Sequence, residues 1–218
     1  MILDIHTHNP EPDTRAVIDL SAAVAETASE FEIPERYSFR QMFSVGIHPW
    51  TLLDNDVDPE VLKAVEKLAS HPQVVLIGEA GIDIPKGGPL FRQMNVFKSM
   101  IDLSEKVGKP LLIHNVKAQD IIIGLHRDIR PRQPWIIHGF RQKPSVAEML
   151  LKEGLHLSFG PMFNPVTLRA IPSDRILAET DDSLLPVDEV IERLSDSAGY
   201  DLTQTIARNS NEILHPAE

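Results

Sequence analysis

Histidines and carboxylates recur in this sequence at one kind of position, the end of a short apolar run. Five of the nine histidines stand there: His6, His8, His48, His114 and His138. Three acidic residues share the position: Glu79, Glu179 and Asp181. Imidazole and carboxylate together are ligands for zinc, manganese, nickel or iron, and a carboxylate can bridge two ions. The residue types therefore predict a site for one or two divalent metal ions.

The spacing of these residues suggests how such a site is built. His6 and His8 lie two apart on an extended segment, so both side chains point to one face. Glu79, at the end of a neighbouring run, can bridge two ions, while His114 and His138 can complete a second site. A lone histidine at a strand end is more often an ordinary core or surface residue. Five histidines at equivalent positions favour metal ligands.

Two acidic residues close the last of these runs, in the motif ETD. Asp181 is placed to bind metal and to take a proton from the attacking water. Glu179 shares its face of the strand and is interpreted as a carboxylate that orients a histidine.

Eight short apolar runs must position these side chains. Several are continuous Val, Ile and Leu segments, which are typical of parallel strands buried on both faces. The predicted strands are residues 2–5, 16–20, 41–47, 74–77, 110–113, 135–137, 155–159 and 175–178. Apolar residues at helical spacing predict helices over 59–70, 90–108, 117–130, 144–154, 186–197 and 202–213.

Eight strands that alternate with helices predict a TIM-like (β/α)8 barrel, in one domain over residues 1–218. The barrel is lean, because the fold typically takes about 250 residues. It is also irregular near the N-terminus. A proline-rich loop joins the first two predicted strands, and the segment between the second and third strands has room for only a short helix. In such a barrel the carboxyl ends of the strands form one rim, where active sites lie.

Composition narrows the function classes. The formal net charge is −11, which disfavours tight binding of duplex nucleic acid. The chain has no cysteine, so disulfides and thiolate metal sites are excluded. We find no apolar run of the ~20 residues that a membrane helix needs, and no signal peptide pattern at the N-terminus. These features predict a cytoplasmic protein that does not bind membranes, and they leave its oligomeric state open.

The ordered motifs resemble those of the TatD family of metal-dependent hydrolases, within the amidohydrolase-like barrels, and this chain resembles a short-form member. The matching motifs are DIHTH at 4–8, GIHP at 46–49, GEAGID at 78–83, FRQ at 91–93, PLLIH at 110–114, HGF at 138–140, SFG at 158–160 and ETD at 179–181. The resemblance implies divalent ions (zinc, manganese, magnesium or nickel) and hydrolysis of phosphodiesters, commonly as a deoxyribonuclease. The ligands it implies, with Glu79 as the bridge, are His6, His8, Glu79, His114, His138 and Asp181.

The sequence departs from the family pattern on the rim. Members usually carry an arginine two residues after the histidine of the PLLIH motif, where this chain has Val116. The segments 84–89 and 9–45 are also shorter than in relatives. These departures concern the surface that would hold a polynucleotide, and they leave the ligand set unchanged.

Three residues are predicted to contact substrate. His48 lies on the rim but outside the six implied ligands. Lys117 and Arg141 follow His114 and His138, and are candidates for binding an anion. The alternative for each of these two cations is a solvated loop charge.

Together the residues and the resemblance predict a divalent-metal-dependent phosphodiesterase or deoxyribonuclease. It would act on DNA ends or short nucleotides through metal-activated water, with Asp181 and Glu79 as catalytic residues. An amidohydrolase-type enzyme acting on a small amide, a lactone or a ring to be deaminated is the alternative. A catalytically idle metal-binding scaffold is a third possibility, which the intact ligand set disfavours.

Overall fold

The computed structural model describes residues 1–11 and 13–215, and eight parallel strands form its centre. Each strand pairs with the next one along the chain. The strands are β1 (Asp4–Thr7), β2 (Ala16–Asp19), β3 (Met42–Val45), β4 (Val74–Asp83), β5 (Leu111–Val116), β6 (Trp135–Ile137), β7 (His156–Phe159) and β8 (Ile176–Ala178). The predicted (β/α)8 barrel is thereby confirmed.

Helices cover the outside of the sheet. They are α1 (Ser21–Thr27), α2 (Pro59–Ala69), α3 (Leu90–Val107), α4 (Gln119–Ile129), α5 (Pro144–Lys152), α6 (Pro165–Ala170), α7 (Val187–Ala198) and α8 (Thr203–Leu214). Short 3₁₀ helices occupy Ala28–Glu30, Pro49–Leu52 and Ser173–Arg175. Among the described residues, none of the helices combines the length and the hydrophobicity that spanning a bilayer requires.

The barrel closes between its first and last strands at the residues that the sequence marks as ligands. Thr7 and Asp181 form a parallel bridge. The backbone N–H of His8 donates to the carbonyl oxygen of Asp181 (3.1 Å), and the N–H of Asp181 donates to that of His6 (3.0 Å). Closure therefore brings the DIHTH and ETD motifs side by side.

Two apolar clusters support this arrangement. The larger one fills the space between strands and helices. The smaller one contains side chains from six strands and two from α8, Ile213 and Leu214, so it occupies the interior of the barrel. The smaller cluster includes Ile5, Leu76 and Leu112, which lie one to three residues before the candidate ligands that follow them on β1, β4 and β5. The candidate metal site therefore lies directly above a packed apolar core.

Strands β4 and β5 are longer than their apolar runs predict. The runs end at Ile77 and Ile113, but the two strands stay paired as far as Asp83 and Val116. Polar side chains interrupt the hydrophobic pattern there without interrupting the backbone pairing. Glu79 and His114 consequently lie within strands and not beyond their ends, which corrects the prediction.

Other differences are local. Strand β1 covers Asp4–Thr7, two residues later than predicted, so His6 also lies within a strand. Helix α6 was not predicted, because its six residues are too few to show helical periodicity. Between β1 and β2 the described residues contain no helix, which matches the predicted irregularity near the N-terminus.

Candidate metal centre

Five histidines surround one buried carboxylate, that of Glu79 on β4. His6 on β1, and His8 just after it, approach the Oε2 atom of Glu79. The Nε2 atoms of these two histidines lie 3.3 and 3.4 Å from it. Asp181, which follows β8, brings its Oδ1 atom within 3.7 Å of His6 Nε2 and 3.6 Å of His8 Nε2. One half of the centre thus has two imidazoles and two carboxylates.

The other oxygen of Glu79 faces a second group of imidazoles. The Nε2 atom of His138 lies 2.7 Å from Glu79 Oε1, and that of His48 lies 3.1 Å from it. The Nδ1 atom of His114 is a third contact of the same oxygen. Since the two oxygens of Glu79 face different histidines, the carboxylate has the placement that a bridging ligand requires.

The donor atoms present fit a divalent metal. Neither ring nitrogen of His6 makes a hydrogen bond within the described residues, although the side chain is fully buried. A buried polar atom without a partner is costly, and a metal ion would remove that cost. Four sets of three side chains, one of them His6, His8 and Asp181, each place their donor atoms within 4.8 Å of one another. Nitrogen and oxygen donors in this number suit zinc, manganese or nickel.

The charges within the centre also favour a cation. Burial raises the pKa of Glu79, but His138, His114 and His48 outweigh it and hold that pKa well below its usual range. Burial lowers the pKa of His8, yet Glu79 and Asp19 raise it to about 9. Positive charge between these carboxylates is therefore stabilised, and bound metal would compete with protons for the imidazoles.

Asp181 differs from Glu79 in its environment. Burial and the neighbouring Glu179 raise the pKa of Asp181 above its ordinary value. Its side chain remains 36% exposed, whereas that of Glu79 is 4% exposed. Asp181 is thus the carboxylate of the centre that a substrate or a water molecule can approach.

Three further carboxylates lie behind the histidines. Glu179 accepts a hydrogen bond from the backbone of Gly139, and its Oε1 atom lies 3.6 Å from His138 Nδ1. The Oδ2 atom of Asp83 lies 3.2 Å from His114 Nε2. The Oδ1 atom of Asp19 lies 3.9 Å from His8 Nδ1. Carboxylates in this position fix the orientation of metal-binding imidazoles.

The placement of Glu179 agrees with its interpretation from the sequence, whereas Asp19 and Asp83 were missed. Both were accessible to the same reasoning. Asp19 ends the second strand, and Asp83 ends the GEAGID motif. Both are acidic residues at the carboxyl end of a buried strand, and this pattern predicts a side chain at the active rim.

The three residues predicted to contact substrate lie in different places. His48 is part of the cluster itself, and together with Glu79 and His114 it forms one of the candidate metal-binding sets. Lys117 and Arg141 lie outside the cluster, in the wall of an adjoining cavity of about 770 Å³. This Lys117 cavity also reaches Asp181, so a group bound by the two cations would lie beside the metal centre.

Comparison with known proteins identifies the family of this chain. The family model described as "TatD related DNase" matches residues 7–211. The chain belongs to the TatD family. The resemblance seen in the motifs is thereby confirmed.

Two named relatives illustrate the range of the family. The protein named "Uncharacterized metal-dependent hydrolase YabD", from Bacillus subtilis (strain 168), is 33% identical over 162 residues, which are 69% of this chain and 61% of that protein. The protein named "3'-5' ssDNA/RNA exonuclease TatD", from Erwinia billingiae, is 28% identical over 156 residues, or 66% of this chain and 59% of that protein. The chain thus spans about three fifths of the length of these relatives.

A solved structure supports the fold. The crystal structure of YJJV, a TatD homologue from Escherichia coli K12, has a TM-score of 0.76 and covers 97% of each chain. At 17% sequence identity this likeness concerns the fold alone.

Proposed function

We propose that this protein is a divalent-metal-dependent hydrolase that cleaves phosphodiester bonds at DNA ends or in short nucleotides. The observation that carries the proposal is the cluster of His6, His8, His114, His138 and Asp181 around the two oxygens of Glu79. The name of the Erwinia relative, a single-strand exonuclease, supports the choice of nucleic-acid ends.

The two halves of the cluster would hold separate ions. His6, His8 and Asp181 would bind one ion together with Glu79 Oε2, and His114 and His138 would bind another together with Glu79 Oε1. When bound, divalent ions supply Lewis acidity, which lowers the pKa of water and neutralises charge on a phosphate. His48 is close enough to Glu79 Oε1 to contribute to the second half or to contact a substrate bound there.

Asp181 would accept the proton of the attacking water at its side-chain carboxylate. Its exposure to the cavity allows contact with water, whereas the buried Glu79 is enclosed by imidazoles. The main-chain bonds of Asp181 to His6 and His8 hold its position. A base with fixed geometry is efficient, because no rearrangement precedes proton transfer.

Lys117 and Arg141 would bind the phosphate. They line the cavity that reaches Asp181, while the chain as a whole carries a net charge of −11. Two local cations on an acidic surface suit a substrate with few phosphates and disfavour a long duplex.

The test is a substrate panel run on enzyme of known metal content. We expect one or two divalent ions per chain by elemental analysis. The loaded protein should hydrolyse bis(4-nitrophenyl) phosphate and single-stranded oligonucleotides, and a chelator should abolish both activities. Turnover of amides or lactones, without turnover of phosphodiesters, would replace this function by the amidohydrolase alternative. Absence of metal, with no response to added zinc, manganese, magnesium or nickel, would overturn the proposal altogether.

A further inference from the structure

A second cavity, of about 750 Å³, opens on the other side of the metal centre. It shares His114, His138 and Asp181 with the Lys117 cavity, so the centre lies between the two. We call it the Trp50 cavity, after the aromatic residue in its wall. Its volume lies within the ~300–1,000 Å³ typical of small-molecule pockets.

Trp50 presents a fixed ring to this cavity. Its indole N–H donates to Asp83 Oδ2 (2.8 Å), and its ring meets the His48 ring edge-on with 4.9 Å between centroids. Despite these two contacts, Trp50 is 45% exposed, whereas tryptophan side chains are highly buried on average. The ammonium of Lys86 lies over one face of the indole, 5.2 Å from the ring centroid, so a base that stacks on the ring uses the other face or displaces Lys86.

The ring is near enough to the metal centre to contact a substrate that is being cleaved. The centroid of the Trp50 ring lies 6.0 Å from that of His114, one of the predicted ligands. A base stacked on Trp50 would therefore be close enough to belong to the nucleotide whose phosphate is bound at the metal centre. The lining of the cavity also includes small apolar side chains, Ala22, Ala25, Val57 and Val61, which suit contact with a planar ring.

The Trp50 cavity is the more acidic of the two cavities. Five carboxylates outside the predicted ligand set line the Trp50 cavity: Asp19, Asp56, Asp58, Asp83 and Asp182. Only Lys86 and the shared Arg141 provide positive charge there within the described residues. The Lys117 cavity has Lys117 and the shared Arg141 together with only two carboxylates outside that set, Glu179 and the shared Asp182. Further phosphates would be repelled from the Trp50 cavity, whereas an uncharged base would not.

We propose that Trp50 stacks on the base of the terminal nucleotide of a single-stranded substrate, while the rest of the strand leaves through the Lys117 cavity. This inference rests on the proposed phosphodiesterase function and adds the place where the terminal base of the substrate binds. Stacking on an aromatic ring tolerates any base, because every base has a π-face. The enzyme would therefore remove terminal nucleotides with little sequence preference.

The test compares Trp50→Ala and Trp50→Phe on two substrates. One is a ten-nucleotide single strand, and the other has an abasic residue at the end from which the wild type cleaves. We expect Trp50→Ala to lower kcat/KM on the intact strand by about 5- to 150-fold, and Trp50→Phe to lower it much less. On the abasic strand, Trp50→Ala should match the wild type, because the stacking partner is already absent.

Two outcomes would overturn the proposal. One is a Trp50→Ala variant that is as active as the wild type on the intact strand. The other is an equal loss for Trp50→Phe and Trp50→Ala on both substrates, which would mean that Trp50 acts only through its bond to Asp83.

A binding measurement separates this inference from the proposed function. Trp50 and Trp135 are the two tryptophans of the chain, and Trp135 is only 1% exposed. A phosphorothioate oligonucleotide that resists cleavage should quench the fluorescence of Trp50 in the metal-loaded wild type, and the signal should be lost in Trp50→Phe. Quenching in a protein that hydrolyses no phosphodiester would support the stacking and overturn the activity. Hydrolysis without quenching would overturn the stacking alone.

Discussion

Among single residues, the two candidate catalytic carboxylates are distinguished by what surrounds them. Glu79 contacts imidazoles through both oxygens and is almost fully buried. Asp181 is 36% exposed and borders both cavities. A residue that neutralises two ions belongs in the first environment, and a residue that exchanges protons with water belongs in the second.

Replacing Asp181 with asparagine should remove most of the activity. An amide cannot accept the proton of water and is a poor metal ligand, so the loss in kcat should exceed the ~10²–10⁴-fold typical of a general base alone. The melting temperature should change little, because the side chain is not part of the packed interior. Near wild-type turnover of bis(4-nitrophenyl) phosphate by metal-loaded Asp181→Asn would show that the assigned base is wrong. Glu79→Gln is the matched comparison, and it should lose metal as well as rate.

Asp83 should act on the metal centre through His114. Its carboxylate contacts His114 Nε2 and so directs Nδ1 towards Glu79. Loss of such a partner typically weakens metal binding or activity ~10- to 100-fold. We expect Asp83→Asn to weaken binding of the second ion by a factor in this range, measured by titration with a competing chelator. Asp128→Asn, the same change at an exposed position of α4, should bind metal like the wild type. Equal affinities in the two variants would contradict this role.

The sequence predicted the six candidate ligands because each follows or interrupts an apolar run, which is a local signal. Whether they bind metal stays a prediction. Local patterns do not show which carboxylate stands behind which histidine. The pairing of Asp83 with His114 depends on the register of β4 and β5, in which Asp83 lies opposite Val116. Such a contact follows from the fold, so sequence reasoning alone did not find it.

For the secondary-structure elements, all eight strands could be predicted from their apolar runs, because strands buried on both faces have a continuous hydrophobic signal. The ends of β4 and β5 could not, since Glu79 and His114 occupy strand positions where a barrel usually has apolar side chains. At the site, polar side chains thus take the place of apolar ones in one part of the barrel interior. The smaller apolar cluster supplies the packing in the rest of that interior.

Helix α8 is tied to the entrance of β8 by Asn209. Its buried side-chain amide donates to the carbonyl oxygens of Ser173 and Ile176, both at 2.8 Å. Asn209→Ala leaves these carbonyls without partners and should lower the free energy of unfolding by about 1–3 kcal/mol for each carbonyl. The loss is smaller for a carbonyl that a water molecule reaches in the variant. Urea denaturation measures the change. Asn211→Ala, at an exposed position of the same helix, should stay within ~0.5 kcal/mol of the wild type. A similarly small effect at Asn209 would contradict the role of this tie.

His156, the first residue of β7, should make stability depend on pH. Burial and the nearby Arg175 lower its pKa to about 4. In the unfolded chain the pKa of a histidine is near 6.5, so the unfolded state binds the proton more readily than the folded state. The stability that neutral His156 contributes is therefore fully present above about pH 6.5 and is lost as the pH falls towards 4. At pH 5 the loss is about 2 kcal/mol of unfolding free energy. His156→Leu should therefore lose less stability than the wild type between pH 7.5 and pH 5 in urea denaturation. Parallel losses in the two proteins would contradict the assignment.

In the whole molecule, two cations line a cavity beside the metal centre of a protein that is acidic as a whole. The net charge is −11, and Lys117 and Arg141 lie in the cavity that reaches the metal centre. The assignment of residues 1–218 to one domain stays a prediction, as does the cytoplasmic location. The distribution of charge nevertheless has a measurable consequence, because each phosphate contact releases counterions from a nucleic acid.

We expect only a weak dependence of single-strand binding on salt. If Lys117 and Arg141 make the two phosphate contacts, the affinity should fall with log salt at a slope of about −1.4, which is roughly a sevenfold rise in KM between about 50 and 200 mM KCl. A protein with 6–10 phosphate contacts on duplex DNA would lose ~10³–10⁵-fold over the same range. Lys117→Ala and Arg141→Ala should each reduce the slope by about 0.7, with modest change in kcat. The measurement is KM for a ten-nucleotide strand at fixed metal concentration. A slope steeper than about −3 would mean that the strand contacts a longer basic surface, and unchanged slopes in both variants would show that these two cations do not bind phosphate.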